Sequence, residues 1–157
     1  MECSVVLDAR LPGRRPDDAF ALVADFERYP ELTDNVRNVT VRHSSSDGLL
    51  DSTWEVTFRR GILIWSERDH LDPAARVIEF TQTKGDFAKF TGTWRIDETP
   101  DGSLVTFTSR FDLGIASLAS LVDPVACAAM RDGITDILKG LFGKDTEVRE
   151  IEAAPIG

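Results

Sequence analysis

The segment DPVACAAMRDGITDILKGLF runs from Asp123 to Phe142 and is followed by Gly143. Asp123 suits a helix N-cap, Pro124 suits the first helical position, and Gly143 suits the left-handed residue after a helix C-terminus. The pattern therefore predicts one long helix. Its apolar residues recur at helical spacing and form one broad face, so we expect the helix to pack against another apolar layer.

The centre of that apolar face carries three small residues, Ala126, Ala129 and Gly133. Two interpretations remain open for them. Either the helix backbone packs very close to a sheet, or space is left beneath the helix, where a ligand can bind. Both interpretations require a second layer of structure opposite the helix.

Length and composition indicate the class of protein. The chain has 157 residues, of which 42% are hydrophobic and 29% are charged, as is typical of a single soluble globular domain. The formal net charge of -9 argues against a nucleic acid or an anionic membrane as a general partner, because both attract basic surfaces. No stretch reaches the length of a membrane-spanning helix.

The two cysteines, Cys3 and Cys127, lie near opposite ends of the chain, and the histidines are His43 and His70. These positions indicate neither a disulfide scaffold nor a zinc site. We expect Cys127 to be a small buried residue and the protein to be cytoplasmic and reduced. No cofactor is expected, because the sequence contains no metal-ligand cluster and no Gly-rich phosphate-binding loop.

The hydrophobic period changes along the chain. After a first strand, Pro16 begins a helix that ends near Phe26, and residues 31–35 indicate a second short helical segment. Six alternating segments joined by turns follow, and the long helix comes last. The seven predicted strands comprise residues 3–11, 36–43, 49–60, 62–71, 76–84, 87–97 and 103–112.

Strands joined in succession by short turns favour an antiparallel, strongly twisted sheet, and a long helix can cover its concave face. The predicted fold is therefore α+β, with a seven-stranded antiparallel twisted sheet, two short helices and a long C-terminal helix over a cavity. We assign residues 1–143 to this single domain and residues 144–157 to an acidic C-terminal tail.

This arrangement and several short motifs resemble the superfamily of START domains, pollen-allergen-like proteins and polyketide cyclase/dehydrases, which has the helix-grip fold. The motifs are DFERYPEL at 25–32, WSERDHLDP at 65–73, GDF at 85–87, GTW at 92–94 and FDL at 111–113. The resemblance covers nearly the entire chain and implies a hydrophobic ligand held between the sheet and the long helix. Members include aromatase/cyclases, ubiquinone-binding proteins and lipid-transfer proteins, so the fold alone does not decide the function.

The resemblance also indicates candidate catalytic residues. In aromatase/cyclases of the tetracenomycin type, a strand that begins with Trp carries a Ser two residues later and an Arg four residues later, both facing the pocket. Aligned on Trp65, this chain has Glu67 and Asp69 at those positions, which departs from the family pattern. Arg68 would face the pocket only at a β-bulge.

Glu67 and Asp69 lie two residues apart on a predicted strand, so they share a face at a spacing of roughly 6.5–7 Å. If that face is the cavity, burial and repulsion raise at least one pKa and leave a proton carrier near neutral pH. Such a pair suits aldol cyclisation with dehydration, in which one group removes an α-proton and the other protonates an oxygen. The alternative is a solvent-facing pair with Ile64 inside.

The resemblance thus implies a cofactor-independent polyketide cyclase/aromatase that receives a poly-β-ketone chain from an acyl carrier protein. Its catalytic candidates are Glu67, Asp69 and Arg68. One alternative is a non-catalytic binding or transfer protein for a lipid, quinone or hydrophobic metabolite, and another is a structural or regulatory domain whose own aromatic residues fill the cavity. The expected substrate-binding residues are Tyr29, Trp54, Phe58, Trp65, Phe80, Gln82, Phe90, Trp94, Phe107, Ser109, Ala126, Ala129 and Gly133.

Overall fold

The computed structural model describes residues 2–43, 47–58, 61–113 and 116–151, apart from the side chains of residues 116–125. The helices are α1 (Pro16–Ala24), α2 (Tyr29–Leu32) and α3 (Ala116–Phe142), and a 3-10 turn at Phe26–Arg28 precedes α2. The strands are β1 (Cys3–Pro12), β2 (Val36–His43), β3 (Leu49–Phe58), β4 (Gly61–Asp72), β5 (Val77–Gly85), β6 (Lys89–Thr99), β7 (Gly102–Asp112) and β8 (Glu147–Glu150).

The strands form one antiparallel sheet in the order β2-β3-β4-β5-β6-β7-β1-β8. Alternate residues of each long strand face the core, as Val105, Phe107 and Phe111 do on β7. Such alternation buries one face of the sheet, and α3 covers it. The prediction of an α+β helix-grip fold is confirmed, with one strand more than expected.

The additional strand, β8, lies within the segment that the sequence analysis assigned to a tail. Residues 147–150 pair with β1, and the Ile151 N–H donates to the Val6 carbonyl across 2.9 Å. The Arg149 guanidinium also bonds the buried Asp8 carboxylate at 3.1 Å. The four residues EVRE show no marked apolar alternation, which is why the strand was missed. Residues 152–157 lie outside the described residues.

Helix α3 ends as predicted, with Gly143 at φ +114 and its N–H bonded to the Lys139 carbonyl across 2.8 Å. Helix α3 begins upstream of the start expected near Asp123, at Ala116, and so includes the turn around Leu118 and Leu121 that the sequence offered as an extension. Residues 116–122, ASLASLV, contain strong helix formers that extend the helix upstream of the cap signal. Among the helices of the described chain, none is long and apolar enough to cross a membrane.

The second short helix also differs from the prediction. Helix α2 begins at Tyr29 rather than at Glu31, and Pro30 lies in its first turn. Proline is tolerated there because the first N–H groups of a helix have no intrahelical partner. Tyr29-Pro30 therefore starts α2, whereas the sequence pattern had indicated only the end of the preceding helix there.

Cys3 of β1 and Cys127 of α3 form a disulfide with their Cα atoms 5.8 Å apart. No disulfide was expected from the sequence, and this expectation was wrong because only the tertiary fold places the start of β1 against α3. The bond ties the covering helix to the sheet. Disulfides are rare in reducing compartments, so the bond counts against the reduced state that was expected from the sequence.

Candidate functional site

A cavity of about 90 Å³ lies between α3 and the concave face of the sheet. Its lining is mostly apolar and aromatic, and no described lining residue carries a positive charge. The lining residues are Phe26, Tyr29, Asn35, Trp54, Val56, Thr57, Phe58, Leu63, Trp65, Glu67, Phe80, Phe87, Phe90, Trp94, Phe107, Ala129, Met130, Gly133, Ile134 and Ile137.

The small residues of α3 explain both the cavity and the close packing at its end. Ala129 and Gly133 line the cavity, and a Cβ atom added at Gly133 would meet only the Asn35 side chain, at 3.5 Å. At Gly140, in contrast, an added Cβ would overlap the Leu32 carbonyl oxygen. The helix therefore leaves space near its middle and packs closely against α2 near its C-terminus.

Strand β4 places the two candidate carboxyl groups on the concave face. Trp65, Glu67 and Asp69 are buried in alternation, with Glu67 4% exposed and Asp69 fully buried, whereas Ile64 is 47% exposed on the opposite face. Glu67 lines the cavity, but Asp69 does not. Asp69 is therefore buried behind the residues that line the cavity.

A β-bulge does occur beside Glu67, but it does not turn Arg68 inward. Ser66 pairs with Lys84 and Glu67 with Gln82, so the extra residue belongs to β5 and the alternation of β4 is undisturbed. Arg68 lies on the outer face and pairs with Asp51 at 3.2 Å. The structure therefore places Arg68 outside the cavity.

Two tryptophans support the carboxyl pair, Trp65 directly and Trp54 through Ser52. Trp65 donates its indole N–H to Glu67 Oε1 across 2.7 Å. Trp54 donates to Ser52 Oγ across 2.8 Å, and the Ser52 hydroxyl donates to Asp69 Oδ2 across 2.6 Å. The two indole rings are parallel, with an interplanar angle of 3° and centroids 6.0 Å apart.

The surroundings of Glu67 and Asp69 change the pKa values of the two carboxyl groups to different extents. Burial, followed by the hydrogen bond and the charge of Asp69, raises the pKa of Glu67 well above its usual range, and the bond from Trp65 opposes this only in part. Burial also raises the pKa of Asp69, but hydrogen bonds from Glu67 and Ser52 oppose the rise. Glu67 is therefore the member that keeps its proton as the pH rises.

An unpartnered oxygen of Asp69 is consistent with the same proton position. Asp69 Oδ1 is buried and has no partner among the described donors, and the buried Glu67 lies two residues away on the same face of β4. Two ionised carboxylates cannot hydrogen-bond to each other, whereas a protonated carboxyl can donate. A proton on Glu67 would therefore make it a donor for Asp69.

Tyr29 lines the cavity beside this pair, but its hydroxyl group is already engaged. The hydroxyl donates to the Val23 carbonyl across 2.6 Å. Burial, and then the charges of Glu67 and Asp69, raise the pKa of Tyr29 well above its usual value. Tyr29 therefore contributes its ring to the cavity and keeps its proton.

Nine further residues of the expected substrate-binding set line the cavity, and three do not. Gln82 bonds both the carbonyl and the N–H of Phe87, at 2.8 and 3.2 Å, and so holds the β5–β6 turn. Ser109 and Ala126 are buried beside the cavity but do not line it. The nine are Trp54, Phe58, Trp65, Phe80, Phe90, Trp94, Phe107, Ala129 and Gly133.

Nine lining residues were not predicted from the sequence. Some could have been found, because Val56 and Leu63 share a strand face with Trp54 and Trp65, and because three others lie on the apolar face of α3. No sequence signal indicated Asn35. The missed residues are Phe26, Asn35, Val56, Thr57, Leu63, Phe87, Met130, Ile134 and Ile137.

Seven lining residues are partly or fully exposed and form what we call the mouth of the cavity, namely Asn35, Val56, Thr57, Phe58, Leu63, Ala129 and Gly133. The Asn35 side chain donates to the Gly133 carbonyl across 3.1 Å, and the Thr57 N–H donates to the Asn35 carbonyl across 2.8 Å. Asn35 thus connects β3 to α3 at the mouth.

Solved structures with the same fold cover nearly the entire chain. A protein from Thermus thermophilus matches with 22% identity and a TM-score of 0.79, over 90% of this chain and 94% of its own. The Zhui aromatase/cyclase from a Streptomyces species matches with 20% identity and a TM-score of 0.74, over 92% of both chains. A START superfamily protein from Mycobacterium smegmatis matches with 17% identity and a TM-score of 0.71, over 91% of this chain and 95% of its own.

At these identities the structural matches establish the fold alone. No curated protein sequence matches this chain. The family model described as polyketide cyclase / dehydrase and lipid transport matches residues 13–138, a range that runs from the start of α1 to the cavity-lining part of α3. The chain therefore belongs to the polyketide cyclase/dehydrase and lipid transport family.

Proposed function

We propose that this protein promotes the aldol cyclisation and dehydration of a poly-β-ketone chain whose reacting end lies in the cavity. One observation carries the proposal. The Glu67 carboxyl lines an otherwise uncharged apolar cavity, and Asp69 is buried directly behind it. A carboxyl pair that can donate and accept a proton inside an aromatic cavity suits general acid–base catalysis of aldol chemistry.

In the first step, the proton held by Glu67 passes to Asp69, and the Glu67 carboxylate removes a proton from a CH₂ group between two carbonyls. The resulting enolate carbon attacks a second carbonyl carbon of the same chain and forms the new C–C bond. The attacked carbonyl oxygen takes the proton back from Glu67 and becomes a hydroxyl group. Because Asp69 stores one proton behind the cavity wall, Glu67 performs both transfers.

In the second step, Glu67 removes a further α-proton and returns it to the new hydroxyl group, which departs as one molecule of water while the C=C bond forms. A conjugated ring remains, so no oxidant or reductant is consumed. The flat aromatic walls suit a planar product. Trp65 keeps the Glu67 carboxyl directed into the cavity through the 2.7 Å bond to Oε1.

The size of the cavity limits how a chain enters. Its volume of about 90 Å³ is below the roughly 300–1,000 Å³ of a typical ligand pocket. The reacting end alone occupies the enclosed space, and the remainder of the chain lies toward the mouth. Longer chains require Met130 and Ile134 of α3 to move. An acyl carrier protein that presents the chain at the mouth is part of the proposal.

Cytoplasmic action is also part of the proposal, and it places a requirement on the disulfide. The bond between Cys3 and Cys127 must persist in a reducing compartment or be absent there. Cys3 is 4% exposed, and limited access slows attack by external thiols. Counting free thiols in protein taken directly from cells, with and without denaturant, distinguishes the two states.

The second candidate function is non-catalytic binding of a hydrophobic metabolite. The observation that favours it is the connection of Asn35 to Gly133, which joins two sides of the mouth and suits retention of a ligand better than rapid exchange. A binder needs the cavity, but it does not need a titratable group at position 67.

The test is reconstitution with a poly-β-ketone thioester presented on an acyl carrier protein. Ring formation is followed by mass spectrometry and absorbance for the wild-type protein, Glu67→Gln and Asp69→Asn. The proposal expects a loss of at least about 100-fold in the cyclisation rate for Glu67→Gln, as is typical when a general acid–base residue is removed. Cyclisation by this variant at the wild-type rate would overturn the role of Glu67. Ligand binding by the wild-type protein without any acceleration over the reaction in its absence would favour the binding function.

A further inference from the structure

The carboxyl pair also restricts which ligands the cavity accepts. The titratable groups that face Glu67 are Asp69 on its own strand and Tyr29 on α2. The residues that line the cavity from α3 are Ala129, Met130, Gly133, Ile134 and Ile137. No described lining residue offers a positive charge.

An anionic ligand finds no cation among the described residues that line the cavity. A carboxylate moved from water into an apolar site needs a cation or several donors to offset its lost hydration. Here the Trp65 indole N–H is already bonded to Glu67, and the Tyr29 hydroxyl is bonded to the Val23 carbonyl. An anion would also be repelled by the charge that the Glu67–Asp69 pair carries when one member is ionised.

A neutral ligand with a hydrogen-bond acceptor can instead gain a hydrogen bond in the cavity. A protonated Glu67 carboxyl can donate its hydrogen to Asp69 or, after a rotation of the carboxyl group, to an acceptor in the cavity. Glu67 is also the cavity-lining member of the pair. A carbonyl oxygen beside Glu67 therefore gains a donor, whereas a hydrocarbon of the same shape does not.

From this arrangement we infer that the cavity selects uncharged, flat ligands that enter with a carbonyl or similar acceptor directed at Glu67, and that it rejects carboxylates of the same shape. The inference rests on the proposed function only in using the same cavity. It excludes free fatty acids bound with their carboxylate inward. It admits ketones, quinones and the keto end of a thioester-linked chain.

The experiment compares three probes of nearly equal shape, namely acetophenone, benzoate and α-methylstyrene. Their dissociation constants are measured by NMR chemical-shift titration at pH 7 on the full chain. We expect acetophenone to bind at least about tenfold more tightly than benzoate. We also expect it to bind more tightly than α-methylstyrene once the binding of each is corrected for its octanol–water partition.

Two variants assign the selectivity to the carboxyl pair. Glu67→Gln keeps a donor and should retain the preference for acetophenone over α-methylstyrene, whereas Glu67→Met should lose it. The double change Glu67→Gln with Asp69→Asn should reduce the discrimination against benzoate by at least about threefold, because the charge of the pair is removed. Glu79→Gln, on the outer face of β5, is the matched control and should change neither ratio.

Equal binding of benzoate and acetophenone by the wild-type protein would overturn the inference, as would a failure of acetophenone to bind. These measurements need no variant, so they decide the matter even if a substitution prevents folding. The outcome is also separate from that of the proposed function. A protein that shows the selectivity and no cyclisation retains the inference and loses the enzymatic proposal.

Discussion

Phe80 on β5 lies with its ring edge directly against Gly92 on β6, where any Cβ atom would overlap the ring. The same ring stacks against Phe107, with centroids 5.9 Å apart. Glycine at this position lets an aromatic ring lie along the cavity wall. A side chain at position 92 would force the ring away from its place.

We therefore expect Gly92→Ala to destabilise the fold and to reduce ligand binding. The added Cβ would also overlap the Thr108 carbonyl oxygen, so movement of Phe80 alone does not relieve the clash. The expected loss is about 1–3 kcal/mol of unfolding free energy, measured by urea denaturation. Gly61→Ala is the control, because its added Cβ would meet nothing closer than the Phe58 oxygen at 3.8 Å. Equal stability of the two variants would contradict the prediction.

The raised pKa of Glu67 makes stability depend on pH in a defined direction. The unfolded chain loses this proton near pH 4.3, approximately the ordinary Glu value, whereas the folded chain keeps it to higher pH. The free energy of unfolding contributed by Glu67 is therefore fully present below about pH 4.3 and is lost as the pH rises through the folded pKa.

Glu67→Gln cannot titrate, so we expect the difference in unfolding free energy, variant minus wild type, to grow as the pH is raised from about 4.3 toward the folded pKa. Urea denaturation at a series of pH values between 4 and 8 provides the measurement. The exposed Glu79, changed to Gln, serves as the control. A constant difference across the series would show that Glu67 is ionised normally in the folded state.

Trp65 affects the pKa of Glu67 because its indole N–H donates a hydrogen bond to the Glu67 carboxyl group. Because this bond lowers the pKa of Glu67, Trp65→Phe should raise that pKa further. Carboxyl ¹³C NMR of Glu67 over a pH series measures the shift. Trp94→Phe also removes an indole from the cavity lining, yet it should leave the Glu67 titration unchanged. A downward shift in Trp65→Phe would count against the described hydrogen bond.

The disulfide is expected to stabilise the protein substantially. Cys3 and Cys127 close a loop with a sequence separation of 124, and long loops lose the most chain entropy when they are cross-linked. The double change Cys3→Ser and Cys127→Ser should lower the unfolding free energy by about 2–5 kcal/mol. A reducing agent should destabilise the wild-type protein and leave the double variant unaffected. Equal stability of the oxidised and reduced protein would contradict this.

Met130 limits the size of the cavity from the α3 side. Met130→Ala should cost about 2–5 kcal/mol in stability. It should also strengthen binding of 2-acetylnaphthalene relative to acetophenone, because the added volume accepts a second ring. Leu138→Ala is the matched control, since Leu138 is fully buried but does not line the cavity. An unchanged ratio of the two affinities in Met130→Ala would show that the ring does not enter beside α3.

Much of the site could be predicted from local pattern. The two-residue period of a strand places Trp65, Glu67 and Asp69 on one face whatever the remainder of the chain does. The helical period likewise groups Ala129 and Gly133 on one face of α3. What local pattern cannot supply is the distance of each side chain from a cavity, because that distance depends on how neighbouring strands and α3 pack. Asp69 and Gln82 show this, since both face inward and neither lines the cavity.

The antiparallel sheet, the end of α3 at Gly143 and the shared face of the two carboxyl groups could all be predicted from the sequence, because they follow from periodicity and from residues that act on their own neighbours. The family was indicated by a resemblance in several short motifs and their order. Long-range packing was needed to establish that Glu67 lines the cavity while Asp69 does not, that Cys3 meets Cys127, and that residues 147–150 join the sheet. Each of these depends on contacts between segments far apart in the chain, and no local pattern encodes such contacts.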